Sequence, residues 1–401
     1  MTYRILSLNG GGIRGIFQAF YLKELAKNLD GPISECFDLI AGTSTGSLIA
    51  LGMALKIEPD KFVEMFKASG SQIFGNKRRL ALLRKGTKYS VAPLQKVLLD
   101  IYGEKRLGDC EPTKVVVCST VLNQYRHRIF TNIQRSGERI GGGDSELRIV
   151  DVALASSAAP TYFPSFQFEK GSDVRTYVDG GLWANNPVLV AVIYAHRHLG
   201  IPLKDMRLMS LGNGNFPAGI QAKKYDKARP IFMVQDILEL MFSSQNTAAD
   251  DLAGSLIGVE NVLSLNGNLP EPVDLDDVDA AISILPPLAQ TRALNELSQV
   301  FKFLVGQSGP LTSKNVRVGM HVRTPKVRQG AICRDEGTLE WSPTMDGLCD
   351  RRAVITAING AGIFSAKLDI DEGKNDWAIE WLTADLGTRM DARSASSTGT
   401  D

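Results

Sequence analysis

The sequence predicts an α/β fold in which helices flank both faces of a mostly parallel central sheet. Short apolar runs end in glycine turns, and helical patterns follow them, in the order that is typical of parallel sheets. The first two predicted strands, over 3–8 and 37–41, are short and mostly apolar, as buried strands of a parallel sheet are. The chain has 401 residues, 44% of them hydrophobic, which is enough for one large domain and a smaller one.

The first half of the chain contains the first predicted strands and helices of this alternating pattern. Residues 3–8 form a buried strand that stops at Asn9 and a run of glycines, and the helical pattern that follows is stopped by Gly31-Pro32. The predicted elements are, in order, strand 3–8, helix 15–30, strand 37–41, helix 45–55, helix 59–69, strand 114–121 and strand 126–132.

The second half continues the pattern and then changes. The predicted elements are helix 150–157, strand 175–178, helix 187–199, strand 206–211 and a mostly helical stretch over 230–305, interrupted by the short strand VLSLN. After residue 309 the sequence VRVGMHVRT alternates apolar and polar residues, as a half-exposed strand does. The sequence therefore predicts a main domain over 1–309, a C-terminal accessory segment over 310–389 and a disordered tail over 390–401.

Composition excludes several classes of protein. The net charge is +1, so no global field attracts a nucleic acid polymer. The five cysteines form no C-x-x-C pair, and their odd number argues for reduced thiols in a cytoplasmic protein. We expect no transmembrane helix, because no apolar run reaches about 18 residues. The sequence offers no metal-ligand cluster, so neither a metal nor another cofactor is expected.

The segment AGTSTGS surrounds Ser44 with small residues directly after a predicted strand. G-x-S-x-G is the pattern of a nucleophile elbow, in which a serine lies on a sharp turn between a strand and a helix. Gly42 and Gly46 allow the close backbone approach that such a turn requires. The pentapeptide alone is also compatible with a tight turn that has no chemical role.

The segment NGGGIRG follows the first strand and supplies candidate oxyanion donors. Gly10, Gly11 and Gly12 would present backbone N–H groups at the start of a helix, where negative charge is stabilised. Arg14 would add positive charge or brace the loop. Two alternatives remain open, a purely structural turn and a G-x-G-x-x-G nucleotide-binding loop. Asp30 weakens the second, because it precedes the next strand instead of ending it.

Asp179 follows an apolar run in YVDGGLWANNP, before Gly180 and Gly181. If all strands are parallel, its carboxylate lies at the sheet edge that also carries Ser44. The alternative is an ordinary Asp-Gly turn. A Ser-His-Asp triad in α/β-hydrolase order requires a later histidine, and the candidates are His196, His198 and His321. The first two end a helix, so the residues favour a dyad in which Asp179 takes the proton from Ser44.

NGGGIRG, GTSTG, ASSAAPTYFP and DGG, in this order, resemble the patatin-like phospholipases over residues 3–305. The resemblance implies the family's three-layer sandwich, with Ser44 as nucleophile and Asp179 as general base. It places Gly11, Gly12 and Arg14 in the stretch that forms the family's oxyanion hole. One departure is Asn9, where the family usually has aspartate.

The resemblance also implies a function, cleavage of fatty-acyl esters of membrane phospholipids through an acyl-enzyme. Cytoplasmic bacterial members include antiviral effectors that cyclic nucleotides activate, so we expect a cyclic nucleotide activator. The alternatives are a constitutive lysophospholipase or general lipid acyl hydrolase, and a non-catalytic lipid- or nucleotide-binding module. Whether the chain forms a homo-oligomer is left open.

A phospholipid substrate requires contact with a membrane, and we expect the protein to act peripherally on the inner membrane surface. The run NKRRLALLRKGTK interleaves basic residues with leucines and is a candidate surface for a membrane or another anion. The alternative is a solvated basic loop. Its basic residues are Lys77, Arg78, Arg79, Arg84, Lys85 and Lys88.

Overall fold

The computed structural model describes most of the chain up to residue 305 and shorter segments beyond it. The described residues are 2–27, 32–75, 86–134, 143–168, 175–216, 230–305, 321–323, 332–334, 337–339, 345, 348, 352–359, 365–368, 377–378 and 383–384. The chain divides into two compact units. The larger unit comprises Thr2–Ala26 and Pro32–Leu294, and the smaller unit comprises Met1, Lys27–Gly31 and Asn295–Asp401.

The larger unit contains an eight-stranded sheet in the order β5-β6-β3-β2-β1-β7-β8, with β4 also paired to β3. The pairs that join β3, β2, β1, β7 and β8 are parallel. Strands β4 and β6 pair antiparallel with β3, and β5 pairs antiparallel with β6. The strands are β1 (Tyr3–Leu8), β2 (Leu39–Thr43), β3 (Lys114–Val121), β4 (Arg126–Thr131), β5 (Phe166–Gln167), β6 (Thr176–Asp179), β7 (Met206–Leu211) and β8 (Val262–Leu265).

The helices of the chain connect these strands. They are α1 (Gly15–Ala26), α2 (Thr45–Ala54), α3 (Pro59–Phe74), α4 (Ala92–Tyr102), α5 (Ile149–Ser156), α6 (Gly181–Ala184), α7 (Val188–Leu199), α8 (Pro230–Ile257) and α9 (Val278–Val305). Among the described helices, none is long and apolar enough to cross a membrane.

The sheet forms the middle layer of three. Helices α2 and α5 pack on one face, and α7 and α8 pack on the other. Along β1, Ile5 belongs to the apolar core that includes Val188 of α7 and Ala253 of α8. Leu6 and Leu8 alternate with it and are fully buried on the opposite face. The predicted fold class, a mostly parallel sheet between two helical layers, is confirmed.

Most predicted elements agree with the structure to within a few residues. The strands over 3–8, 114–121 and 206–211 have the predicted bounds. Helix α4 has no counterpart among the predicted elements. It buries Leu94, Leu98 and Tyr102, a spacing of four residues that is typical of one face of a helix.

The smaller unit contains a five-stranded antiparallel sheet, in the order β14-β13-β12-β9-β15, and a two-stranded hairpin of β10 and β11. Its strands are β9 (His321–Arg323), β10 (Ile332–Arg334), β11 (Gly337–Leu339), β12 (Arg352–Asn359), β13 (Ser365–Leu368), β14 (Trp377–Ala378) and β15 (Thr383–Ala384). The predicted boundary at 309 stays a prediction, and the predicted tail over 390–401 lies outside the described residues.

Candidate active site

Ser44 lies on the sharp turn between β2 and α2. Its backbone has φ +52° and ψ −126°, a conformation that is strained for a residue with a Cβ atom. A Cβ atom at Gly46 would lie 2.2 Å from the Leu8 carbonyl oxygen, and one at Gly42 would lie 2.5 Å from the Gly46 carbonyl oxygen. The small residues around Ser44 are therefore required by backbone packing, as the elbow pattern predicts.

Strand β3 determines where β2 and β6 lie. Its residues 116–118 pair with both β2 and β4, so these two strands occupy opposite sides of β3. Its residues 119–121 pair with both β4 and β6, so β6 lies on the same side as β2. Strands β2 and β6 therefore run toward each other along one side of β3, and their carboxyl ends meet.

This arrangement places Ser44 beside Asp179. Thr43, the last residue of β2, pairs with Cys118, and Asp179, the last residue of β6, pairs with Ser119. These pairs are one residue apart on β3, about 3.3 Å along the strand. The sequence-based reason for this proximity, that all strands point one way, is wrong, because β6 is antiparallel to β3. The two residues meet because their strands converge.

The Asp179 carboxylate is buried, with only 4% of the residue exposed. It accepts a hydrogen bond of 2.7 Å from the Gly181 backbone N–H. Burial raises the pKa of Asp179 from 3.8 to about 6, although the neighbouring Ser44 hydroxyl and the Gly181 N–H oppose the shift. Gly180 permits this close packing, since a Cβ atom there would lie 2.3 Å from the Cys118 carbonyl oxygen. A carboxylate with this pKa suits proton transfer near neutral pH.

Two further serines hold the turn at Ser44. The Ser44 backbone N–H donates to the Ser156 hydroxyl at 2.9 Å, and that hydroxyl donates to the Cys118 carbonyl at 2.7 Å. The Ser47 hydroxyl donates to the Ser44 carbonyl at 2.6 Å. Neither serine was among the predicted site residues, although Ser156 lies within the ASSAAPTYFP block. Because the Ser44 N–H is engaged, oxyanion donors must come from elsewhere.

The glycine loop, Gly10–Gly12, has two backbone N–H groups that line the cleft and are candidates for this role. Among the described residues, none accepts a hydrogen bond from the N–H of Gly11 or Gly12, and both residues line the same cleft as Ser44 and Asp179. Gly12 has φ +57°, a left-handed conformation that favours glycine. The loop can therefore donate two hydrogen bonds to an oxygen beside Ser44.

Gly10 and Arg14 support this loop. The Gly10 N–H donates to the Asn185 carbonyl at 2.9 Å, so it is engaged within the protein. The backbone N–H of Arg14 donates to the Gly11 carbonyl at 3.1 Å. The Arg14 side chain is buried, and it is not among the described residues that line the cleft.

Asn185 and Asn213, which were not among the predicted site residues, also hold the glycine loop. Their side-chain amides donate to the Gly10 carbonyl, at 3.3 Å from Asn185 and 2.6 Å from Asn213. Asn185 is held in turn by α8, through Gln245 and Asn246. The sequence signals were ANNP and GNGN, but nothing local indicates that these asparagines contact a loop about 200 residues earlier.

Ser44, Asp179, Gly11 and Gly12 line an open cleft of about 930 Å³. Its other walls are largely apolar, formed by Leu48, Met65, Phe66, Ile73, Phe74, Leu94, Tyr162, Phe163, Leu182, Phe242 and Leu275. No histidine is among the described lining residues. His196 instead contacts the Ile201 carbonyl through Nδ1, at 2.9 Å. The arrangement can hold an apolar acyl group next to a serine and a carboxylate.

Comparison with known proteins agrees with this geometry. The family described as patatin-like phospholipase matches residues 6–192. The cGAMP-activated phospholipase of Pseudomonas aeruginosa is 31% identical over 267 residues, which cover 64% of this chain and 76% of that protein. The chain belongs to the patatin-like phospholipase family. It is therefore a lipid acyl hydrolase by class.

Two other relatives of this patatin-like phospholipase carry the same name. The cGAMP-activated phospholipase of Vibrio cholerae is 29% identical over 231 residues, covering 52% of this chain and 63% of that protein. The one from Escherichia coli is 31% identical over 224 residues, covering 52% and 61%. The match thus spans less than two thirds of these two relatives. The crystal structure of VipD from Legionella pneumophila has a TM-score of 0.37 at 11% identity, covering 73% of this chain and 67% of VipD, too little to support a conclusion.

The basic run of this patatin-like phospholipase is only partly described. Lys77, Arg78, Arg79, Arg84 and Lys85 lie outside the described residues. The Lys88 ammonium lies 3.5 Å from the Asp276 carboxylate and 4.2 Å from the centre of the Tyr162 ring. Lys88 therefore contributes to contacts inside the larger unit.

Proposed function

We propose that this patatin-like phospholipase hydrolyses fatty-acyl esters of membrane phospholipids through a Ser44–Asp179 dyad. The observation that carries the proposal is the placement of Ser44 beside the buried Asp179 at the meeting ends of β2 and β6, where both residues line a largely apolar cleft. The cleft suits an acyl chain, because burying apolar surface is favourable. The dyad suits an ester carbonyl, because a serine needs an adjacent base to become a nucleophile.

In the first step the Asp179 carboxylate takes the hydroxyl proton of Ser44 while the Ser44 oxygen bonds to the acyl carbon. The carbonyl electron pair moves onto its oxygen, and the N–H groups of Gly11 and Gly12 donate to the resulting oxyanion. When the carbonyl re-forms, the ester bond breaks. Asp179 returns the proton to the leaving alkoxide, which departs as a lysophospholipid.

The second step removes the acyl group from Ser44. A water molecule gives a proton to Asp179 and attacks the acyl-enzyme carbonyl, and the same two N–H groups stabilise the oxyanion. Collapse of this intermediate breaks the bond to Ser44, which regains its proton from Asp179. The fatty acid is released and the dyad is restored.

Hydrolysis of a fluorogenic phospholipid by purified variants tests the dyad. We expect Ser44→Ala and Asp179→Ala to lower kcat/KM at least about 1000-fold, because the serine and the aspartate of the dyad act together and neither functions without the other. Ser255→Ala is the matched control, since this exposed serine on α8 donates only to the Asp251 carbonyl within its own helix, and it should keep wild-type activity. Near-wild-type hydrolysis by either dyad variant would contradict the proposal.

We also propose that a cyclic nucleotide activates the enzyme, as part of an antiviral response. The support is that three relatives are named cGAMP-activated phospholipases. A fourth, from Escherichia coli, is named a cUMP-AMP-activated phospholipase and is 28% identical over 258 residues.

A constitutive lipid acyl hydrolase is the second candidate. The name of one relative, patatin-like protein 2 of Oryza sativa, mentions no nucleotide; it is 32% identical over 227 residues, which cover 50% of this chain and 55% of that protein. A non-catalytic binding module is disfavoured, because both members of the dyad are present. The basic run that includes Lys77, Arg78 and Arg79 stays our proposed contact with the membrane surface.

A further inference from the structure

Leu275 lies directly against the glycine loop. Its carbonyl accepts a hydrogen bond of 2.9 Å from the N–H of Ile13, the residue after the loop. A Cβ atom at Gly12 would lie 2.3 Å from the same oxygen. The Leu275 side chain also lines the cleft. The position of the Leu275 backbone therefore determines where Gly12 lies relative to Ser44.

The next residue, Asp276, anchors this backbone. Asp276 is 4% exposed, and its carboxylate accepts a hydrogen bond of 2.5 Å from the Tyr89 hydroxyl. The Lys88 ammonium lies 3.5 Å from the same oxygen. A buried carboxylate is strongly destabilising unless it is paired and hydrogen-bonded, so removing these partners would displace it. Asp276 is thereby held in one place.

The anchor itself belongs to the cleft wall. The backbone N–H groups of Lys88 and Tyr89 donate to the carbonyls of Thr161 and Tyr162, at 2.8 and 2.9 Å. The Tyr89 ring packs against Phe74 and Phe163, with ring centres 5.3 and 5.8 Å away. Tyr162, Phe163 and Phe74 all line the cleft. A continuous set of contacts thus joins the cleft wall, through Tyr89 and Asp276, to the glycine loop.

We propose that Asp276 is a positioning residue, which holds the Gly11 and Gly12 N–H groups in the position from which they donate to the oxyanion. The inference rests on the proposed function, because it assigns those N–H groups to the oxyanion. They act on charge that develops only in the transition state, so a displaced loop lowers kcat while KM changes little.

Kinetics of the full chain test this role with Asp276→Asn and Tyr89→Phe. We expect kcat to fall about 10-fold for Asp276→Asn and about 3-fold for Tyr89→Phe, since misplacement by 1 Å costs up to about 100-fold. KM should stay within about 2-fold. A trifluoromethyl ketone lipid analogue forms a tetrahedral oxyanion with the serine, so its Ki should rise by the same factor as kcat falls.

Asp144→Asn is the matched control. Like Asp276, the wild-type aspartate is paired with a basic side chain, here Arg128, and it accepts a hydrogen bond of 3.2 Å from the Thr131 backbone N–H. Asp144 is not among the described residues that line the cleft. Assayed below the Tm of every variant, Asp144→Asn should keep wild-type kcat and Ki.

Unchanged kcat and Ki in Asp276→Asn would overturn the inference, as would an equal loss in Asp144→Asn, which indicates general destabilisation. If Asp276→Asn does not fold, the kcat and Ki of Tyr89→Phe test the inference instead, because this variant removes only one hydroxyl group. Failure of the proposed function is recognised separately, by activity that persists in Ser44→Ala or is lacking in the wild type.

Discussion

At the scale of single residues, Asp179 combines two opposed requirements. The proposed role of Asp179 as general base needs its carboxylate form, whereas burial favours the protonated form and raises its pKa to about 6. The activity of the dyad should therefore rise with pH through about 6 and reach a plateau above it. The same shift implies that the enzyme carries a stability cost at the pH where it works.

This cost gives a prediction for Asp179→Asn. The pKa of Asp179 in the folded state lies above its unfolded value of 3.8. The stability contributed by the protonated Asp179 carboxyl is therefore fully present below about pH 4 and is lost as pH rises through about 6. The neutral amide does not undergo this loss. At pH 8 we expect Asp179→Asn to be inactive but more stable than wild type by about 1–3 kcal/mol.

Thermal unfolding of both proteins from pH 4 to pH 8 checks this prediction. The difference in Tm between Asp179→Asn and wild type should widen as pH rises. A difference that stays constant over this range would show that ionisation of Asp179 does not affect stability.

At the scale of elements, the site depends on the meeting of β2 and β6 along β3. The sequence predicts both strands, with their ends placed within two residues of those in the structure, because apolar runs followed by glycine turns are local signals. It does not predict the direction of β6. Strand β6 pairs with the length of β3 beyond Cys118, where β2 ends, and this pairing between distant segments leaves no local signal in the sequence.

The residues that hold the glycine loop show the same limit. Ser44 and the loop were predicted because their small residues stand in recognisable local patterns. Asn185, Asn213 and Leu275 contact the loop from positions far along the chain, and each does so through an ordinary backbone or amide hydrogen bond. Such contacts leave no pattern in the neighbouring sequence, so only the folded arrangement identifies them.

At the scale of the molecule, every described residue that lines the cleft belongs to the larger unit. The family match over 6–192 includes Ser44, Asp179 and Asn185, whereas Asp276 lies beyond it. The two residues of the proposed dyad thus lie within the family match, and the proposed anchor of the glycine loop lies outside it. The proposed regulation by a nucleotide has to be measured on the whole chain.

Phospholipid hydrolysis with and without a panel of cyclic di- and trinucleotides, including cGAMP and cUMP-AMP, tests activation. We expect one of them to raise the rate at least about 10-fold, a coupling free energy within the usual range for allosteric activation. Ser44→Ala should stay inactive with every nucleotide. Equal wild-type rates throughout the panel would favour the constitutive lipid acyl hydrolase.

The central claim is that Asp179 makes Ser44 a nucleophile, and covalent labelling measures this directly. A fluorophosphonate probe followed by peptide mass spectrometry should place the label on Ser44 at pH 8. The labelling rate in Asp179→Asn should be lower by at least about 100-fold, as expected when a general base is lost. Label on a different residue, or an unchanged rate in Asp179→Asn, would contradict the account.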